Sequence, residues 1–204
     1  MGFQPLTTRR AFVSKCLLLI SAIPFIGVIA CGDKRKLRKC VTTEDILGPF
    51  YRENAPTRMN LIVGSQAGTS LNITGKIYGE DCETPLADAT LDIWHADDAG
   101  EYDNSSPDYL FRGKVKTDSD GTYQFDTIVP GKYLNGSNYR PSHIHFKITA
   151  SGHKELTTQL YFAGDPDIPA DTWASDESAE ERIITLEDSG NGKMSNFNVK
   201  LLPI

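Results

Sequence analysis

Apolar and polar residues alternate over short runs along most of this chain, and a period of two is the signature of a strand with one buried face. The runs are Leu71 to Tyr78, Thr90 to Trp94, Thr122 to Phe125, Ile144 to Ile148, Glu155 to Phe162, Arg182 to Glu187 and Asn196 to Leu202. Turn-forming clusters separate them at Gly79-Glu80-Asp81, Asp97 to Gly100, Asp118 to Gly121, Ser151-Gly152 and Ser189 to Gly192. Seven or more short strands at this spacing, without a sustained helical period, predict an all-β fold. The expectation is an antiparallel β-sandwich joined by long loops that carry the active-site residues, with one helical turn over Asp176 to Glu181. With 39% apolar residues the chain has enough for one ordinary core.

Within one of these strands lies Arg140-Pro141-Ser142-His143-Ile144-His145-Phe146. Successive strand residues face opposite ways, so His143 and His145 share a face and Ile144 takes the other. Two imidazoles on one face make half of a metal site. Taken alone, such a pair serves zinc, copper, manganese or nothing. Upstream, Gly100-Glu101-Tyr102 and Gly131-Lys132-Tyr133 each bring a tyrosine just after a glycine turn, where a phenol can be aimed into a pocket. A phenolate is a hard, anionic oxygen donor, so two phenolates with two imidazoles suit a ferric ion.

These pieces, with Gly48-Pro49-Phe50-Tyr51, Pro85 to Trp94, Asp98 to Tyr102, Thr117 to Tyr133 and Thr158 to Asp165, stand in an order that resembles the intradiol ring-cleavage dioxygenases. That family includes catechol, hydroxyquinol and protocatechuate dioxygenases. The resemblance implies that Tyr102, Tyr133, His143 and His145 hold a non-haem Fe(III). It implies Arg140 as the cation beside the substrate ring, Tyr133 as the phenolate that yields to substrate, and Gln159 as a group near the metal. Ile46, Pro49 and Tyr51 fall where the family lines its substrate pocket. The substrates so implied are a small aromatic diol and O2, and the product a cis,cis-muconate. Only Leu134 to Tyr139 separate Tyr133 from Arg140, shorter than the protocatechuate pattern, which favours a catechol-like or hydroxyquinol-like ring. His95 reads as structural or near the metal, and His153 as a turn residue.

The first thirty residues read as a leader. Thr8-Arg9-Arg10-Ala11-Phe12 is a twin-arginine pattern, and the uncharged run Cys16 to Ala30 is too short for a comfortable membrane span. Val28-Ile29-Ala30-Cys31-Gly32 looks like a lipobox, which makes Cys31 the lipidated first residue of an exported bacterial lipoprotein on the periplasmic or outer surface. The organisation expected is a signal at 1–30, a tether at 31–44 and a sandwich at 45–204. The only membrane contact expected is the lipid anchor; a homo-oligomer is compatible with the sequence. Cys40 and Cys82 then remain as an even pair in an oxidising space, bridged or as two thiols. Residues 1–30 hold Arg9, Arg10 and Lys15 and no acid, so their removal takes the net charge from −6 to −9. That balance argues against nucleic acid as a partner.

Two other readings compete. The stretch from Thr74 to Leu91 also resembles transthyretin-like or carboxypeptidase-regulatory-like sandwich modules, which bind and catalyse nothing. A zinc hydrolase built on the His pair would need a carboxylate or cysteine at useful spacing, and none stands out.

Overall fold

The computed structural model describes residues 41–204. The leader, the twin-arginine pattern, Cys31 and Cys40 lie outside the described residues. Twelve strands are present among them: β1 (Ser70–Tyr78), β2 (Thr90–Trp94), β3 (Arg112–Lys116), β4 (Thr122–Ile128), β5 (Tyr133–Asn135), β6 (Asn138–Arg140), β7 (His143–Thr149), β8 (Leu156–Phe162), β9 (Ile183–Ile184), β10 (Glu187–Asp188), β11 (Lys193–Asn196) and β12 (Val199–Lys200). One sheet runs β3-β2-β7-β8-β9. The other is built around β1, which pairs with β4 on one side and with β11 and β12 on the other. β5 and β6 form a separate hairpin.

The alternation places Leu91, Ile93, Val115, Ile144, Phe146, Ile148 and Leu160 of the first sheet against Leu71, Ile73, Ile77, Phe125 and Val199 of the second, with Phe197 added from the link between β11 and β12. These side chains form one continuous core, and their removal from water is the main term holding the sheets together. Gly75 stands on the inner row between Ile73 and Ile77, where a Cβ would lie 2.0 Å from the Phe197 carbonyl oxygen. Only glycine lets the Phe197 backbone pass there, and Tyr123 crosses the same gap to donate its hydroxyl to that oxygen at 2.5 Å.

The sheets are not wholly antiparallel, which corrects the sequence expectation. β1 runs parallel to β11 and β12, and β9 runs parallel to β8. The run Arg182 to Glu187 breaks into two strands of two residues, with Arg182 closing the 3-10 turn Glu177–Arg182. That turn starts at Asp176, whose carboxylate accepts from Ser178 N at 2.8 Å. β3 lacks the alternating signal because Gly113 occupies a core position, where Leu61 packs so tightly that a Cβ would meet its Cδ2 at 2.5 Å. The packed body also begins earlier than residue 45. Thr42 is buried, and its amide donates to the Lys200 carbonyl at 3.2 Å. Cys82 is disulfide-bonded.

The feature that matters for function is the other face of the β3-β2-β7-β8 sheet. Its register sets Arg112, Trp94, His145 and Gln159 in one row across four strands, with His143 opposite Tyr161 in the next. These polar and aromatic side chains are buried because the segment after Thr42 crosses that face, tied by Asp45 N to the Thr157 carbonyl and Arg58 N to the Lys114 carbonyl.

Candidate metal centre

β7 is the central strand of its sheet, so both histidines are deeply placed. Ile144 points into the core, and His143 and His145 point the opposite way, each 2% exposed or less. Both imidazole Nε2 atoms converge on the phenol of Tyr102, each at 3.2 Å from its Oη. His143 Nδ1 lies 2.6 Å from the Pro141 carbonyl oxygen. A carbonyl can only accept, so that nitrogen carries the proton and the Nε2 lone pair faces the site. Burial pushes His143 down to about 3, with the charge of Arg140 adding to the effect. Burial likewise drives His145 well below its ordinary value, next helped by His143. Both rings are therefore neutral at physiological pH, the form that binds a cation.

Tyr102 and Tyr133 reach the same space from two loops that are packed backbone to backbone. Gly100, at φ +88°, leaves room for the Lys132 carbonyl, which a Cβ would meet at 2.3 Å. Gly131 returns the contact, since its Cβ would stand 2.4 Å from the Asp98 carbonyl oxygen. Gly131 N donates to the Asp97 carbonyl at 2.7 Å. The two glycines therefore do more than aim the tyrosines: they lock one tyrosine loop against the other. The Tyr133 ring lies 5.8 Å from Tyr102 and 5.7 Å from His143. Burial raises the Tyr102 phenol above its ordinary value, so the hydroxyl keeps its proton until a cation displaces it.

Arg140 pairs with Tyr133 across the β5–β6 hairpin and is 2% exposed. Its NH2 donates to Gln159 Oε1 at 2.9 Å and to the Tyr161 hydroxyl at 3.0 Å. Its Nε lies 2.7 Å from Asp171 Oδ2, an ion pair too bent to count as a hydrogen bond, and its guanidinium lies 4.4 Å from the centre of the Trp173 ring. Burial alone would lower the arginine, but Tyr161, Asp171 and Tyr133 outweigh it and raise the group. Gln159 spends its amide nitrogen on the Ile46 carbonyl at 2.8 Å. This fixes the segment that holds Ile46 and Pro49. Two residues on from Ile46, Gly48 passes so close to His145 that a Cβ would sit 3.2 Å from its Cε1.

Tyr51 is placed differently from expectation. Its hydroxyl donates to Asp92 at 3.0 Å, and its ring packs on Trp94 at 4.9 Å and against Lys147 Nζ at 5.2 Å. Phe50 takes the inward place instead, stacked on Tyr102 at 4.3 Å and edge-on to Tyr133 at 5.7 Å. Phe50 lies in the turn at Pro49-Phe50 and Tyr51 just after it, and of the two Phe50 is the one that faces Tyr102 and Tyr133. Sequence reasoning passed over Phe50 although it stands inside Gly48-Pro49-Phe50-Tyr51. It also passed over Tyr161, Asp171 and Trp173; the last two lie beyond a 3-10 turn with no periodic signal. His95 is core: Nδ1 donates to the Ala96 carbonyl at 2.7 Å and Nε2 accepts from Thr127 at 2.6 Å, while burial pushes it to about 4. His153 sits in a turn, its Nδ1 2.8 Å from the Ser151 carbonyl oxygen.

The sequence and the fold are similar to those of known proteins. The model of the dioxygenase family matches residues 46–201. A chlorocatechol 1,2-dioxygenase of Rhodococcus opacus is 34% identical over 165 residues, covering 67% of this chain and 62% of that protein. Catechol 1,2-dioxygenase 2 of Acinetobacter lwoffii is 36% identical over 145 residues, or 61% of this chain and 52% of that protein. This chain thus spans between half and two thirds of the length of these relatives. The dioxygenase domain of a dioxygenase and carbohydrate-binding protein fusion from Streptomyces sp. SirexAA-E superposes with a TM-score of 0.71 at 34% identity, covering 80% of this chain and 99% of that domain. The chain belongs to the intradiol ring-cleavage dioxygenase family.

Proposed function

We propose that this protein cleaves the ring of a small catechol-type diol between its two hydroxyl-bearing carbons, with O2, to give a cis,cis-muconate. The observation that carries this reading is the convergence of two neutral imidazole Nε2 atoms on the Tyr102 oxygen at 3.2 Å each, with Tyr133 and Arg140 alongside. The donor set fits Fe(III), since it combines two phenols that bind as hard anions with two imidazoles. Tyr102, Tyr133, His143 and His145 would hold the ion. Bound there, it would supply the Lewis acidity that makes a catecholate reactive toward O2.

The chain's own residues supply the rest. Tyr133 Oη, beside the Arg140 guanidinium, would take a proton from the incoming diol and return from phenolate to phenol, having given up its own proton to hold the ion. Arg140 stays charged and planar, held by Asp171, Gln159 and Tyr161, and meets negative charge as it develops on the ring. Phe50 and the segment from Ile46 to Pro49 exclude water from that charge. Lys132, next to Tyr133, is committed to Asp167 at 2.6 Å and Asp165 at 3.5 Å. That commitment leaves it poorly placed to receive a ring carboxylate, which favours an uncharged catechol over protocatechuate.

The competing readings fit less well. Among the described residues no group of three or more His, Cys, Asp and Glu could hold a metal, so a zinc hydrolase site has no donors beyond the pair. A passive binding module has no use for a buried arginine beside four converging donors. The deciding experiment is iron analysis and visible spectroscopy of the purified protein with a catechol assay. We expect close to one iron per chain, a broad visible band bleached by dithionite, and muconate as product. A colourless zinc protein that opens no ring would refute the assignment.

We propose further that residues 1–30 direct twin-arginine export and that Cys31 carries the lipid, with Cys40 bridged to Cys82. Export of a folded protein would let metal be loaded before translocation. Cys31→Ser is expected to release the domain from membranes or to leave an unprocessed precursor. Replacing Arg9 and Arg10 together by Lys is expected to hold folded protein in the cytoplasm; unchanged export of that variant would sink the twin-arginine route.

A further inference from the structure

The two histidines are oriented by different means. His143 is fixed by a hydrogen bond from Nδ1 to the Pro141 carbonyl, the usual device by which an outer partner orients a metal-binding imidazole. His145 Nδ1 is buried with no acceptor in reach among the described residues. What faces the His145 ring is the indole of Trp94, parallel within 8° at 4.7 Å between centroids. The two are direct partners in the β2–β7 register and so stand side by side on one face of the sheet. Trp94 Nε1 is buried and also lacks an acceptor among the described residues, so toward His145 the residue presents its flat face and not its N–H. Tyr51 backs Trp94 at 4.9 Å, anchored through its hydroxyl to Asp92. On the His145 ring edge Gly48 packs closely, since a Cβ there would stand 3.2 Å from Cε1 and 3.8 Å from Nε2.

We propose that Trp94 is the positioning residue for His145, replacing by aromatic stacking the hydrogen bond that His143 has and His145 lacks. Tyr51 and Asp92 hold Trp94 in place, and Gly48 completes the clamp. This rests on the assignment of His145 as a donor, but the orientation itself is a property of the metal-free fold.

The test compares Trp94→Phe and Trp94→Leu with the parent, in metal-free protein and after iron loading. Side-chain relaxation of the His145 Cε1–H group reports ring motion without metal. It is expected to show a rigid ring in the parent and Trp94→Phe, and a ring sampling several orientations in Trp94→Leu. Iron release to a chelator is expected to quicken by about 10- to 100-fold in Trp94→Leu, the scale on which outer partners act, and to be largely restored in Trp94→Phe. Phe125→Leu removes a core aromatic from the opposite sheet. It should lower thermal stability while leaving His145 rigid, separating orientation from general loosening. A His145 ring as rigid in Trp94→Leu as in the parent overturns the proposal whether or not iron binds. A parent that takes up no iron while Trp94→Leu loosens His145 would instead reject the dioxygenase reading and leave this inference standing.

Discussion

His143→Ala is expected to abolish iron binding, and with it the visible band and at least about a thousandfold of ring-cleaving activity, as when a group central to the chemistry is removed. The imidazole sits on the central strand of its sheet, buried, neutral and aimed at Tyr102, and nothing else in the described residues reaches that point with a nitrogen lone pair except His145. The substitution also empties a buried site and leaves the Pro141 carbonyl without its donor, a loss of roughly 1–3 kcal/mol. Thermal unfolding of the metal-free variant separates that loss from the loss of metal. A folded His143→Ala protein that still binds one ferric ion with the parent's colour would show that the donor set lies elsewhere.

Arg140→Gln is expected to keep iron and colour but to lower turnover by about 100-fold, the scale seen when one preorganised group that meets transition-state charge is deleted. It will also destabilise the fold, because Asp171 would be left as a buried carboxylate without its cation, a cost of about 3–5 kcal/mol. Asp171→Asn together with Arg140→Gln removes both charges and should recover much of the stability and none of the rate. Wild-type turnover in Arg140→Gln, or a rate restored along with stability in the double variant, would mean that the arginine serves the fold alone.

The strands and the proposed metal donors stand out in the chain for a shared reason. A period of two separates a core row from an outer row, and on β7 the same period sets His143 and His145 together while sending Ile144 inward. The tyrosines were legible through their glycines, although the purpose of Gly100 and Gly131 is close packing between loops rather than a turn alone. The hairpin of β5 and β6 carried too few residues for any period to show.

By itself, then, the sequence determined the features that depend on neighbours along the chain: alternation, turns, the paired histidines and the order of motifs that marks the family. Only the tertiary structure decided the features that depend on residues far apart. It chose Phe50 over Tyr51 to face Tyr102 and Tyr133 and brought Asp171 and Trp173 to Arg140. It also set β1 parallel to β11 and β12. Such choices turn on which surfaces remain to be covered once the sheets have packed, and a buried charge or an unpaired face finds its partner across space, where sequence separation carries no information.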